Sequence, residues 1–184
     1  MTPRNANSPA ALGPVTRIVS GGQTGVDRAA LDAGLDAGIP VGGWCPRGRR
    51  SEAGPIPEHY PLKETPARTY AVRTEWNVRD SDGTLVIVLN EISSGTKLTL
   101  AAARGLGKPF KVVHLRPEDE PGLFTTENPL NDQIESVVEW LHALRIRVLN
   151  VAGPRGSSHK DVYSEALGFM SLLLKRILNQ DAPC

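Results

Sequence analysis

A chain of 184 residues, 40% hydrophobic and 22% charged, is long enough to bury a substantial core and has the balance of an ordinary globular domain. Its 21 basic and 20 acidic residues leave a net charge of +1, which excludes the overall electrostatic footprint of a nucleic-acid binder. Two distant cysteines, Cys45 and Cys184, make neither a disulfide framework nor a metal-ligand spacing.

The four histidines, His59, His114, His142 and His159, share no ligand spacing with one another or with the cysteines, so no protein-ligated metal is expected. The sparse cysteines fit a reducing cytoplasm, and the apolar runs are too short for a transmembrane helix. Residues 1–16 lack an apolar stretch of signal-peptide type and read as a frayed lead, leaving one domain over 17–180.

Along that domain apolar runs alternate with helical periodicity. "RIVSG" predicts a strand and "TGVDRAALDAGLDAG" a helix, with Leu31 and Leu35 four apart and Ala30, Ala33, Gly34 and Ala37 forming a small-residue face. "IPVGGWCP" suggests a short strand, and the Pro-, Gly- and charge-rich "RGRRSEAGPIPEHYPLKETP" a long irregular loop. A helix follows through "ARTYAVRTEWNVRDSDG", then a buried strand in "TLVIVLN", whose five consecutive apolar residues suit a sheet covered on both faces.

"SSGTKLTLAAARGLGKP" predicts a second turn and helix, and "FKVVHL" a strand. After a loop, "NPLNDQIESVVEWLHALR" forms a helix capped by Asn128, with Leu130, Ile134, Val137, Val138, Leu141 and Leu144 on one face. "RVLNVAG" predicts the last strand and "PRGSSHK" a third turn. The closing helix buries Val162, Ala166, Phe169, Met170, Leu173, Leu174 and Ile177, while Leu167, Leu172 and Leu178 widen the stripe enough to serve a homo-oligomer contact.

Alternating strands and helices imply an α/β fold with a largely parallel sheet of about five strands, which binds ligands beyond the carboxyl ends of its strands. Three glycine turns fall at that edge. Gly21, Gly22, Gln23, Thr24 and Gly25 form the first, with Asp27 and Arg28 in the following helical turn. Ser94, Gly95 and Thr96 form the second, and Gly153, Pro154 and Arg155 the third. Such turns free backbone N–H groups at helix starts, where partial positive charge favours an anion, and Thr24 has a hydroxyl to donate. Each taken alone is also consistent with simple turn geometry, Asp27 with macrodipole compensation and Arg28 with solvation.

Arg47, Arg49 and Arg50 either hold an oxyanion or line a solvated loop, and the neighbouring Cys45 is either a low-pKa thiol or a plain half-buried residue. Glu75 and Arg79 make an i, i+4 pair, and Trp76 anchors its helix or walls a planar ligand. Glu75 and Asp80 are the available carboxylates for acid/base work.

Together "SGGQTGVDRAALDAG", "GWCPRGRRSEAGPIPEHYPLKE", "RTEWNVRDSDGTLVIV", "SGTKLT", "GKPF" and "LNVAGPRGS" resemble the family of putative molybdenum carrier proteins, over nearly the whole domain. The resemblance implies a Rossmann-like three-layer sandwich, circularly permuted, in which "VLNVAGPRG" plays the part of the opening strand and turn. It implies a small phosphorylated ligand, either a nucleotide or the molybdenum cofactor, a phosphorylated pterin. The wider superfamily includes phosphoribohydrolases, which carry paired glutamates after a Gly-Thr step. Here Gly95 and Thr96 lead into Lys97, Leu98 and Thr99. The reading is therefore a binding protein, with a nucleotide-processing enzyme or a messenger sensor as alternatives, and no membrane or nucleic-acid partner.

Overall fold

The computed structural model describes residues 15–116 and 129–180. Its elements are β1 (Arg17–Val19), α1 (Val26–Asp36), β2 (Val41–Gly42), β3 (Trp44–Cys45), β4 (Arg50–Ser51), β5 (Gly54–Pro55), β6 (Lys63–Glu64) and α2 (Tyr70–Arg79). Then come β7 (Gly83–Val88), α3 (Ser94–Gly105), β8 (Phe110–His114), α4 (Pro129–Ala143), β9 (Val148–Ala152), a 3-10 turn (Gly156–Ser158) and α5 (Val162–Gln180).

Five strands form the main sheet in the order β2-β1-β9-β7-β8, every pair parallel. β7 is buried along its whole length, as a strand between two helical layers must be. On one face Ala29, Ala30, Leu31 and Ala33 of α1, Val137, Val138 and Leu141 of α4, and Phe169, Met170, Leu173 and Leu174 of α5 pack with Ile18, Leu85, Ile87, Leu149 and Val151. On the other, Leu100 of α3 meets Val86 and Val88, with α2 alongside α3. The last strand in sequence lies at the centre because it alone bridges β1 and β7.

Three local expectations are corrected. The 47–66 segment is more than an irregular loop: β4 pairs with β5 as a hairpin, and β6 runs parallel to β3. What organises it is Arg49, whose guanidinium donates to the carbonyls of Ile56, Leu62, Pro57 and Tyr60. Leu35, Leu130 and Leu144 are exposed, because each sits at a helix end beyond the reach of the sheet. Arg79 pairs with the adjacent Asp80, at 2.7 Å, and not with Glu75.

Val15 is buried and Thr16 N–H donates to the Arg147 carbonyl, so these two residues of the expected lead are tied to β9. Asn128 and Cys184 lie outside the described residues. Leu172 and Leu178 of α5 are exposed.

Candidate functional site

The turn from β1 to α1 crosses the carboxyl edge of the sheet. Gly25, immediately before the helix, has φ +77 and ψ −131, and a Cβ there would lie 2.5 Å from the Pro154 carbonyl oxygen. That conformation belongs to glycine, so the turn closes tightly onto the β9 turn. The chain's own oxygens fill the start of α1. Gln23 N–H donates to Asp27 Oδ2 at 3.2 Å, Thr24 N–H to the Gln23 side-chain carbonyl at 3.0 Å, and Val26 N–H to the Pro154 carbonyl.

Asp27 is itself buried, and its Oδ2 accepts from Arg73 Nη1 at 3.0 Å. Burial pushes its carboxyl above the usual range. The Arg73 guanidinium, Gln23 N–H and Ser20 hydroxyl pull it back without cancelling that effect. Arg73 Nε is buried and has no hydrogen-bond partner among the described residues.

The second turn is arranged differently. Ser93 caps α3, its Oγ accepting from Thr96 N–H at 3.2 Å, and the exposed Ser94 and Gly95 open the helix beyond it. From the third turn come Gly153 and Arg155. These pieces enclose a crevice of about 290 Å³, lined by Gln23 and Asp27, by Tyr70, Arg73 and Thr74 of α2, by Ser93, Ser94, Gly95, Leu98 and Thr99, and by Ala152, Gly153, Arg155 and Ser158. Its charge comes from the Asp27–Arg73 pair at its floor, Arg155 at its rim and the α3 N-terminus.

Thus the structure brings Gln23, Asp27, Ser94, Gly95, Gly153 and Arg155 into one cleft. Gly21 lies against the Arg73 guanidinium, and Gly22 packs on Leu62 and Ile56. Thr24 does not present its hydroxyl to the crevice; it accepts from Gly156 N–H at 3.0 Å and bonds the Glu52 carboxylate. Thr96 and Pro154 are buried behind the two turns.

Arg28 donates to the Gly22 carbonyl and the Ser51 hydroxyl. The three loop arginines do not converge: Arg49 holds carbonyls, Arg50 reaches toward the Arg68 carbonyl, and Arg47 is exposed. Glu75 is exposed on α2, and Asp80 lies beyond the other end of that helix, bonded to Arg79 and to Trp44 Nε1. Trp76 packs edge-on against Trp44, with ring centroids 4.8 Å apart, and so anchors α2 to β3. Cys45 is buried, and burial raises its thiol pKa, which describes an inert core residue.

Sequence reasoning assigned no role to Tyr70, Arg73, Thr74, Leu98, Ser158 or Glu52. Arg73 carried one indirect signal, a glycine at position 21, but nothing in the sequence says which side chain needs that space.

A second cavity of about 400 Å³ adjoins the first, sharing Ser93 and Ser158 with it, and continues past Leu89, Asn90, Glu91, Ile92, Pro154 and His159 to Arg116. Arg116 bonds Asp161 and Glu165, so two carboxylates neutralise its charge. Among the described residues no three of His, Cys, Asp and Glu come together as a metal site, and no helix is long and apolar enough to cross a membrane.

Counted from β9, the strands take the 3-2-1-4-5 order of a doubly wound sheet, with the crevice where the connections diverge on either side of it. This is a Rossmann-like α/β domain whose first strand has moved to the end of the chain. The chain belongs to the circularly permutated YpsA SLOG family, whose model matches residues 18–174. It is also similar to the crystal structure of a putative molybdenum carrier protein from Syntrophus aciditrophicus SB, with 38% identity and a TM-score of 0.79, covering 88% of this chain and 96% of that one. No curated protein matches it.

Proposed function

We propose that the chain is a binding protein for a phosphorylated, ring-bearing ligand, either a nucleotide or a pterin such as the molybdenum cofactor. The observation that carries this is the convergence of three strand-to-helix turns on one crevice, with the start of α3 opening into it. A phosphate bound there lies near Ser94 and Gly95, within the field of Arg73 and Arg155. The orphaned Arg73 Nε supports an acceptor at this place, because a buried unpaired donor costs about 1–3 kcal/mol. The adjoining cavity suits the ring: Leu89, Ile92 and Pro154 supply apolar surface, and Asn90 and His159 supply polar edges.

The molybdenum part rests on the neighbour's name alone. The crevice lining has no His or Cys, so it is the phosphate end of such a ligand that these residues suit. Calorimetry with molybdenum cofactor, adenosine and guanosine 5′-monophosphates and inorganic phosphate tests the reading. Micromolar binding of one phosphorylated ring compound is expected, and no heat with any of them defeats it.

A turnover reading is favoured by one observation: Asp27, a buried carboxylate with a raised pKa, lines the crevice. It predicts release of free base from a nucleoside monophosphate, lost in Asp27→Asn. The exposed Leu172 and Leu178 belong to the same proposal as a homo-oligomer contact, which light scattering of Leu172→Lys checks.

A further inference from the structure

Glu52 stands on the short link between β4 and β5, at the rim of the crevice and outside its lining. Its carboxylate is held by donors from two of the three turns. Ser157 donates through N–H at 2.9 Å and through its hydroxyl at 2.6 Å, Thr24 donates its hydroxyl, and Arg155 Nε lies 3.3 Å away. Glu52 N–H in turn donates to the Gln23 side-chain carbonyl at 2.9 Å. Two hydroxyls, a backbone N–H and a guanidinium around one pair of oxygens form a donor set that suits any oxyanion. Here the oxyanion belongs to the protein; of the crevice-lining residues Arg155 pairs with it, while Gln23 accepts from the Glu52 backbone N–H.

We infer that Glu52 is an acidic latch: its carboxylate occupies the rim donors in place of a ligand oxyanion, and an anionic ligand must displace it, lifting the 50–55 hairpin, to engage Arg155. Deepening the phosphate-binding reading on which it rests, this has a definite electrostatic consequence. Glu52 offsets the positive charge of Arg155 beside the crevice, so it opposes an incoming anion. A purely structural brace would act with the opposite sign, because loosening it would disorder the rim and weaken binding.

The experiment measures inorganic phosphate and adenosine 5′-monophosphate binding to the full chain and to Glu52→Gln, which retains the side chain's shape and loses its charge. At least tenfold tighter binding by Glu52→Gln is expected. Limited trypsin digestion gives a second readout, since lifting the hairpin exposes the bond after Arg50. Phosphate added to the unmodified chain should speed that cleavage, and Glu52→Ala should speed it without phosphate. Should the unmodified chain bind phosphate while Glu52→Gln binds it no more tightly, the latch is wrong and the phosphate reading survives. Should neither protein bind either probe, the phosphate reading itself falls and the latch falls with it.

Discussion

Gly21 and Arg73 occupy complementary space: a Cβ on Gly21 would fall within the guanidinium of Arg73 and 2.9 Å from its Nε. The missing side chain lets the guanidinium lie across the β1 turn and reach Asp27.

Gly21→Ala therefore displaces the far end of a flexible side chain, which removes Arg73 from the crevice floor and breaks its ion pair with the buried Asp27. Phosphate binding is expected to fall about tenfold, equivalent to about 1.4 kcal/mol. Arg73→Met should cause a similar loss, and the double variant should lose no more than either alone. Calorimetric titration of the three variants checks this, and additive losses would show that the residues act independently.

The third turn predicts a contrast between two glycines of the same crevice. A Cβ on Gly153 would sit 2.6 Å from Val26 Cγ2 and press on the Ile87 carbonyl, neither of which can yield without moving the sheet or α1. Gly153→Ala should cost about 3 kcal/mol through overpacking. At Gly95 the nearest atom is 4.0 Å away, so Gly95→Ala should stay within about 0.5 kcal/mol of the unmodified chain. Urea denaturation of both separates the cases.

Arg49→Lys keeps the charge but lacks the fork that reaches four carbonyls. The 46–64 segment should loosen, at a cost of about 2 kcal/mol, the scale of hydrogen bonds to a charged group. Hydrogen exchange should show faster exchange at Ile56 N–H, which donates to the Arg49 carbonyl at 2.6 Å, while β7 amides remain protected.

The acid limb of stability carries two terms of opposite sign. Burial pushes the Glu52 carboxyl up, but the Ser157 and Thr24 hydroxyls, the Ser157 N–H and Arg155 outweigh it and hold the group below its ordinary 4.5. Glu52 therefore stabilises the fold fully above pH 4.5, and that contribution fades as pH falls through its folded value. Asp27 is raised above 3.8, so its cost builds up as pH rises from there to its folded value. The stability difference between the unmodified chain and Glu52→Gln should shrink below pH 4.5, as thermal melts across pH 3–7 would reveal. Separately, Arg73→Met should move the Asp27 titration further upward, which carboxyl NMR reads directly.

Much of the architecture was legible because its signals are local. The apolar run Leu85 to Leu89 announces a strand covered on both faces, and the small residues of α1 announce close packing on a sheet. The 47–66 segment was not legible as ordered, because its order comes from one guanidinium gathering carbonyls up to 13 residues away, and its strands are two residues each. The candidate site was partly legible: the turns were visible, but the uses of their polar groups were not. Thr24 looked free in sequence and is engaged by partners 28 and 132 residues away.

By itself, then, the sequence determined the alternation of strands and helices and the place of the glycine turns, since periodicity and helix starts depend on near neighbours. Only the tertiary structure decided that β9 lies between β1 and β7, that α1 begins on its own Asp27 rather than on open amides, and that Arg73 and not the loop arginines reaches the crevice. Those outcomes depend on strand order and on polar partners distant in sequence, such as Arg73 and Asp27, 46 residues apart and brought together by the sheet edge.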